Sequence, residues 1–136
     1  MENIRIESSL RFVQGIPVLD IVGEIDIYTT PQFREAVVAA IEQGGPAIVI
    51  NMTKVSYMDS SGFGTLLSAT KKLRPMNGML FLCNCNEAIT RMLQITRLDT
   101  IFGVCDSEEA AVAGAKASLS SIGAALDVHE STAVAV

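Results

Sequence analysis

The chemistry this sequence can offer is concentrated in MDSSGFG, Met58–Gly64, and in GEID, Gly23–Asp26. Asp59 stands directly before Ser60 and Ser61, and Gly62 and Gly64 follow at the entrance to an apolar helical pattern. An acid before a helix can accept from its first free backbone N–H groups. Glycine costs a helix about 1 kcal/mol relative to alanine, less in the first turn, but it clears side chains from the positive end of the helix dipole. Such an entrance suits an anion or a closely packed partner. A phosphate on one of the serines would add about −1.5 to −2 charges. The helix end would tolerate it, Asp59 would oppose it, and a docked partner would meet a strongly hydrated charge. Residue type alone does not choose between Ser60 and Ser61.

Other chemistries find less support. A serine hydrolase needs a base against its nucleophile, and the single histidine, His129, lies in the closing DVHESTAVAV. SSGFG also lacks the G-x-S-x-G order of a nucleophile elbow. GFG without G-x-x-x-x-G-K-[ST] is no nucleotide loop. Cys83 and Cys85 are expected to share one strand face as core residues rather than as metal ligands. A phospho-aspartate receiver built on Asp59 would want a lysine at a later strand end, and neither Cys83–Asn86 nor Cys105–Asp106 supplies one. No enzymatic activity, metal or cofactor is therefore expected.

The elements that position these residues follow from hydrophobic period. With 136 residues, 49% of them hydrophobic, the chain suits one domain with a real core. Ile4–Phe12 and Pro17–Gly23 read as strands joined by VQGIP, short enough for an antiparallel hairpin. Thr30 as N-cap and Pro31 at the first helical position open a helix with Phe33, Ala36, Val37, Ala40 and Ile41 inward, stopped at Gly44 or Gly45. AIVINM, Ala47–Met52, reads as a strand covered on both faces, which Val55–Met58 extends or parallels. A helix over Ser61–Leu73 follows, then the strand MLFLC and a helix from Asn86 to Thr96 with Ile89, Met92 and Leu93 inward. TIFGVC reads as the last strand. Asp106 and Glu109 open an Ala-rich final helix to Leu126. The expected fold class is α/β, one mixed sheet whose N-terminal antiparallel hairpin precedes largely parallel strands, covered by about four helices. Residues 1–126 form the domain, and 127–136 form a flexible tail.

A net charge of −5 disfavours direct nucleic-acid binding. No apolar run spans a bilayer, so no membrane insertion is expected. An odd set of three cysteines and an N-terminus unlike a secretory signal point to a reduced, cytoplasmic setting.

GEID followed by MDSSGFG resembles the STAS family, and within it the single-domain bacterial anti-sigma factor antagonists. INMTKVSYMDSSG is similar to the family's strand, link and phosphorylation loop, and GMLFLCNCNEAITRMLQITRLDTIF to its next strand, helix and strand. The likeness covers Ile4–Asp106. It implies a non-catalytic switch protein. Unphosphorylated, such a protein binds an anti-sigma factor with serine kinase activity and so releases a sigma factor. Phosphorylation of the first serine after the acid ends the complex, and a serine phosphatase resets it. On this chain the resemblance makes Ser60 the phosphoacceptor, with Asp26, Asp59, Ser61 and Gly62 as the environment that meets the partner. It also leaves room for a different role, as a non-switching STAS subunit of a stress-sensing or transport-associated complex. Near QITRLD the family commonly carries glycine where this chain has Arg97.

Overall fold

The structure, a computed structural model, describes residues 6–120. Its strands are β1 (Glu7–Val13), β2 (Ile16–Ile25), β3 (Ala47–Met58), β4 (Met79–Cys83) and β5 (Gly103–Cys105). They form one sheet in the order β1-β2-β3-β4-β5. The β1–β2 pair is antiparallel and every later pair is parallel. The hairpin turns at Gln14 and Gly15, both at positive φ (52° and 82°), the backbone that a two-residue turn matched to strand twist requires. The helices are α1 (Thr30–Gly44), α2 (Ser60–Leu73), α3 (Glu87–Ile95) and α4, helical over residues 108–120. The expected end of α4 at Leu126 and the tail 127–136 lie outside the described residues.

Two cores flank the sheet, and the alternation along β3 assigns residues to each. Ile48, Ile50 and Met52 face Phe33 and Val37 of α1, Leu66 and Leu73 of α2, and Leu93 of α3. Ala47 and Val49 point the other way, toward Ala111, Val112 and Ala115 of α4. Ala47 through Ile50 are all fully buried, as an unbroken β-branched run requires when helices cover both faces. The segment Val55–Met58 extends β3 rather than forming a separate strand.

Four local expectations are corrected. Thr30 is the first residue of α1, not its cap, and Thr29 in the capping position makes no side-chain cap bond. The start of α4 is capped by Ser107, whose Oγ accepts from Ala110 N–H at 3.1 Å, not by Asp106. Met92 is 43% exposed, because Ile89 and Leu93 alone fill the narrow contact of this short helix with the core. Cys83 and Cys85 do not share a face. Cys83 lies in the α4-side core and Cys85 packs on the opposite one, since Asn84 between them sits at φ 60° and breaks the strand alternation.

An ion-pair network fastens α4 to the sheet. Arg11 of β1 donates to Asp20 of β2 through Nε at 2.5 Å and to Glu108 Oε2 of α4 through Nη1 at 3.0 Å. Asn51 of β3 donates to Glu108 Oε1 at 3.2 Å.

Candidate functional site

The two acids singled out by sequence each build the start of a helix. Asp26 follows β2, and its Oδ1 accepts from the N–H groups of Tyr28 at 2.9 Å and Thr29 at 3.0 Å, closing a tight turn into α1. Thr29, 1% exposed, donates its hydroxyl to the carbonyl of Glu24 at 2.7 Å and accepts from Asp26 N–H at 3.0 Å. Asp59 caps α2 from an extended backbone, with Oδ1 accepting from Ser61 N–H at 2.9 Å and from the Ser61 hydroxyl at 2.5 Å. The two turns are stitched together, because Asp59 N–H donates to the Ile25 carbonyl at 3.0 Å. Upstream, β2 shifts register against β3 between Gly23 and Glu24, and Gly23 at φ 124° occupies a backbone region closed to other residues. The glycine of GEID thus permits the irregularity that carries β2 to Asp26.

Ser61 is half-buried and fully engaged. Besides Asp59 its oxygen lies 2.7 Å from Thr30 Oγ1, and Thr30 Oγ1 lies 2.6 Å from the carbonyl of Asp26. Thr30 is 5% exposed. Sequence reading gave Thr30 only a local capping role, and nothing in the spacing of two residues on different helices signals their contact. Ser60, the first residue of α2, is exposed, and none of these hydrogen bonds uses its hydroxyl.

The entrance of α2 is not the open anion site that its glycines suggested. The Ser61 N–H goes to the Asp59 side chain, while those of Gly62 and Phe63 reach the Asp59 carbonyl at 3.0 and 3.3 Å. Asp59 thus already supplies the negative charge that the helix end favours. The Ser61 hydroxyl, then the backbone N–H groups of Ser61, Gly62 and Ile27, hold the Asp59 carboxyl below its ordinary range, against a smaller opposing desolvation. It is a carboxylate at neutral pH.

The glycines divide in role. A Cβ on Gly62 would fall 2.5 Å from Met58 Cγ and 2.8 Å from Ile25 Cγ2, so this glycine lets α2 close onto the ends of β2 and β3. Gly62 is therefore a packing residue beneath the site and not part of its accessible face. Gly64 is exposed with nothing within 4 Å of an added Cβ, and it keeps the outer face of α2 low. Three large side chains stand exposed on the segments that converge on Asp59: Ile27 at 68%, Tyr28 at 80% and Tyr57 at 51%. Tyrosine combines large apolar area with a polar tip and is enriched at protein interfaces.

The family model of the STAS domain, residues 7–111, matches this chain. The chain belongs to the STAS domain family. It is 36% identical over 106 residues to the anti-sigma-B factor antagonist of Listeria monocytogenes, covering 78% of this chain and 92% of that protein. It is similar to a crystal structure of an anti-sigma factor antagonist from Mycobacterium paratuberculosis, with TM-score 0.74, 26% identity, and coverage of 82% of this chain and 94% of that one. It is also similar to the Bacillus cell fate determinant SpoIIAA in its phosphorylated form, with TM-score 0.61 and 27% identity over 78% of this chain and 96% of that one. The expected fold, a mixed sheet with an antiparallel hairpin and parallel strands under helices, is the fold observed.

Among the described residues, no group of three or more His, Cys, Asp or Glu side chains is placed to hold a metal, and no helix is long and apolar enough to cross a membrane. Burial pushes the Cys83 thiol up to about 12 and Cys85 up to about 11, which leaves both protonated and unreactive at neutral pH. His129 lies outside the described residues.

Proposed function

We propose that this STAS protein is an anti-sigma factor antagonist switched by phosphorylation of Ser60. Unphosphorylated, it binds an anti-sigma factor with serine kinase activity through the surface around the start of α2, and a sigma factor is released. The observation that carries this reading is the placement of Ser60. Its hydroxyl is exposed at the first position of α2, beside the ionised Asp59 and near the exposed Ile27, Tyr28 and Tyr57. The names of the relatives and the phosphorylated form of SpoIIAA support it.

The switch follows from the local electrostatics. At the helix end the N–H groups of Ser61, Gly62 and Phe63 are taken by Asp59. Phosphate on the exposed Ser60 adds a charge of about −1.5 to −2 beside an existing carboxylate. A partner packed on this face must then desolvate that charge or withdraw, and withdrawal costs less. Asp26 and Asp59 shape the surface and Ser61 holds it, while a serine phosphatase restores the binding state. The protein itself does no chemistry; the partner's kinase uses ATP. The cycle is cytoplasmic in this reading, the setting that the three unpaired cysteines fit.

The test is to incubate the protein with the serine kinase that copurifies with it and ATP, then map phosphate by mass spectrometry. Phosphate on Ser60 with dissociation of the complex is expected. Phosphate confined to another residue, or a complex that survives full modification, overturns the reading.

A further inference from the structure

The neighbouring serines of the loop are presented to an incoming group in different ways. A serine oxygen carries one proton and two lone pairs. At Ser61 there are two close partners, Asp59 Oδ1 at 2.5 Å and Thr30 Oγ1 at 2.7 Å, and Thr30 Oγ1 continues to the Asp26 carbonyl at 2.6 Å. This chain of oxygens begins at a carboxylate and ends at a carbonyl, both of which only accept. Two hydroxyl protons must therefore serve three contacts. Because Asp59 is ionised, Ser61 donates to it, and toward Thr30 the Ser61 oxygen is an acceptor. Thr30 divides its proton between Ser61 Oγ and the Asp26 carbonyl. One lone pair of Ser61 is thus covered by a side chain that is 5% exposed and rooted in the first turn of another helix.

Phosphoryl transfer to serine requires an oxygen that the phosphorus can reach in line and a proton free to pass to a base. The oxygen bonds to the γ-phosphorus in line with the leaving group, the bond from that phosphorus to the bridging oxygen breaks, and ADP departs with its electron pair. The hydroxyl proton passes to a base of the kinase. Ser61 Oγ is half-buried, capped on one side by Thr30, and has its proton committed to Asp59. Ser60 meets that demand, being exposed and outside the network. We propose that Thr30 is the positioning residue that decides between the two serines, a proposal that rests on the reading of Ser60 above. Its side chain covers Ser61 Oγ from the α1 side and leaves Ser60 as the single member of the pair open to phosphorylation. A role confined to α1 would need only the bond from Thr30 to Asp26, four residues back. The contact with Ser61 reaches across 31 residues of chain and between two helices.

The test uses the copurifying serine kinase with ATP and magnesium on the full chain, reading Ser60 and Ser61 occupancy separately by mass spectrometry. Wild type and Thr30→Ser, which keeps the hydroxyl, are expected to carry phosphate on Ser60 alone. Thr30→Ala uncovers Ser61 and should raise the ratio of Ser61 to Ser60 phosphate at least tenfold. In a Ser60→Ala background, phosphate should be absent with Thr30 present and return on Ser61 with Thr30→Ala. Thermal melts confirm that each variant is folded. Should Thr30→Ala not fold, Thr30→Val, which removes the donor and keeps the shape, takes its place, with a smaller rise expected. An unchanged pattern in a folded variant, with wild-type Ser60 modified, overturns the role of Thr30 alone. No phosphate on wild type removes the reading of Ser60, and this assignment with it.

Discussion

Thr30 Oγ1 and Ser61 Oγ, 2.7 Å apart, join the first turn of α1 to the first turn of α2. Each residue also belongs to a turn built by an acid, Asp26 for one and Asp59 for the other. The pair therefore couples the first turns of the two helices directly, beside the Asp59–Ile25 bond that stitches together the turns leading into them. A buried hydroxyl pair contributes about 1 kcal/mol when made. Thr30→Val and Ser61→Ala should each lower stability, and their double-mutant cycle should show a coupling of about 1 kcal/mol in urea unfolding. A coupling indistinguishable from zero would mean that the two hydroxyls do not share a proton.

Gly62 and Gly64 should respond oppositely to alanine. A Cβ at Gly62 meets Met58 Cγ at 2.5 Å and Ile25 Cγ2 at 2.8 Å, so both of these core side chains must shift. Gly62→Ala is expected to cost about 1–3 kcal/mol, as overpacking does. A Cβ at Gly64 meets nothing, and Gly64→Ala should raise stability by a few tenths to about 1 kcal/mol. Equal effects of the two changes would contradict the packing described here.

Arg97 offers a separate stabilising change. It follows the end of α3 in the left-handed region at φ 62°, the conformation for which glycine carries no steric penalty. The family resemblance expects glycine near this point, and the structure shows why: the helix ends in a turn that a side chain tolerates at a cost. Left-handed backbone costs an L-residue about 1–2 kcal/mol, partly offset by the greater unfolded-state freedom of glycine. Arg97→Gly should raise the thermal midpoint slightly, and a lowered midpoint would show that the Arg97 side chain makes contacts that outweigh the strain.

Most of the scaffold was legible because it rests on local signals. The β-branched run of Ala47–Ile50 marked a strand covered on both faces, and all four side chains are buried. Asp59 before Ser60 marked a helix cap, and it is one. What was not legible depends on contacts between distant segments. The Thr30–Ser61 bond, the closure of Gly62 onto Ile25, and the grip of Arg11 on Glu108 across 97 residues leave no periodic trace. Cys85 changed face because of one backbone dihedral at Asn84, which strand alternation cannot anticipate. The exposure of Ile27 and Tyr57 ran against their apolar type and is likewise invisible to hydrophobic period.

The attachment of α4 should weaken in acid. Hydrogen bonding to Arg11, above all, lowers the Glu108 carboxyl from its ordinary 4.5. In that range the unfolded chain binds more protons than the folded one, so stability falls as pH falls. The contribution is fully present above 4.5 and disappears as pH drops through the lowered folded value. Glu108→Gln removes it at every pH. Wild type should therefore melt higher than Glu108→Gln near neutral pH, and the two midpoints should converge in acid. A constant difference across the acid limb would show that the Arg11–Glu108 pair adds no stability.

Ser60 gives the sharpest separation of fold from function. As an exposed residue whose hydroxyl joins none of the site's hydrogen bonds, it can be replaced with little effect on stability, within about 0.5 kcal/mol for Ser60→Ala. Ser60→Ala should bind the anti-sigma partner as wild type does and resist release by ATP. Ser60→Asp places a single charge beside Asp59, less than the −1.5 to −2 of phosphate. It should weaken binding about tenfold, close to 1.4 kcal/mol, and full phosphorylation should weaken it further. Raising salt should recover part of the loss for Ser60→Asp, because like charges at an exposed edge are screened over about 10 Å at 0.1 M. Calorimetric titration at two salt concentrations checks all three forms. Undiminished binding of a folded Ser60→Asp protein would mean that the contact surface does not include the start of α2.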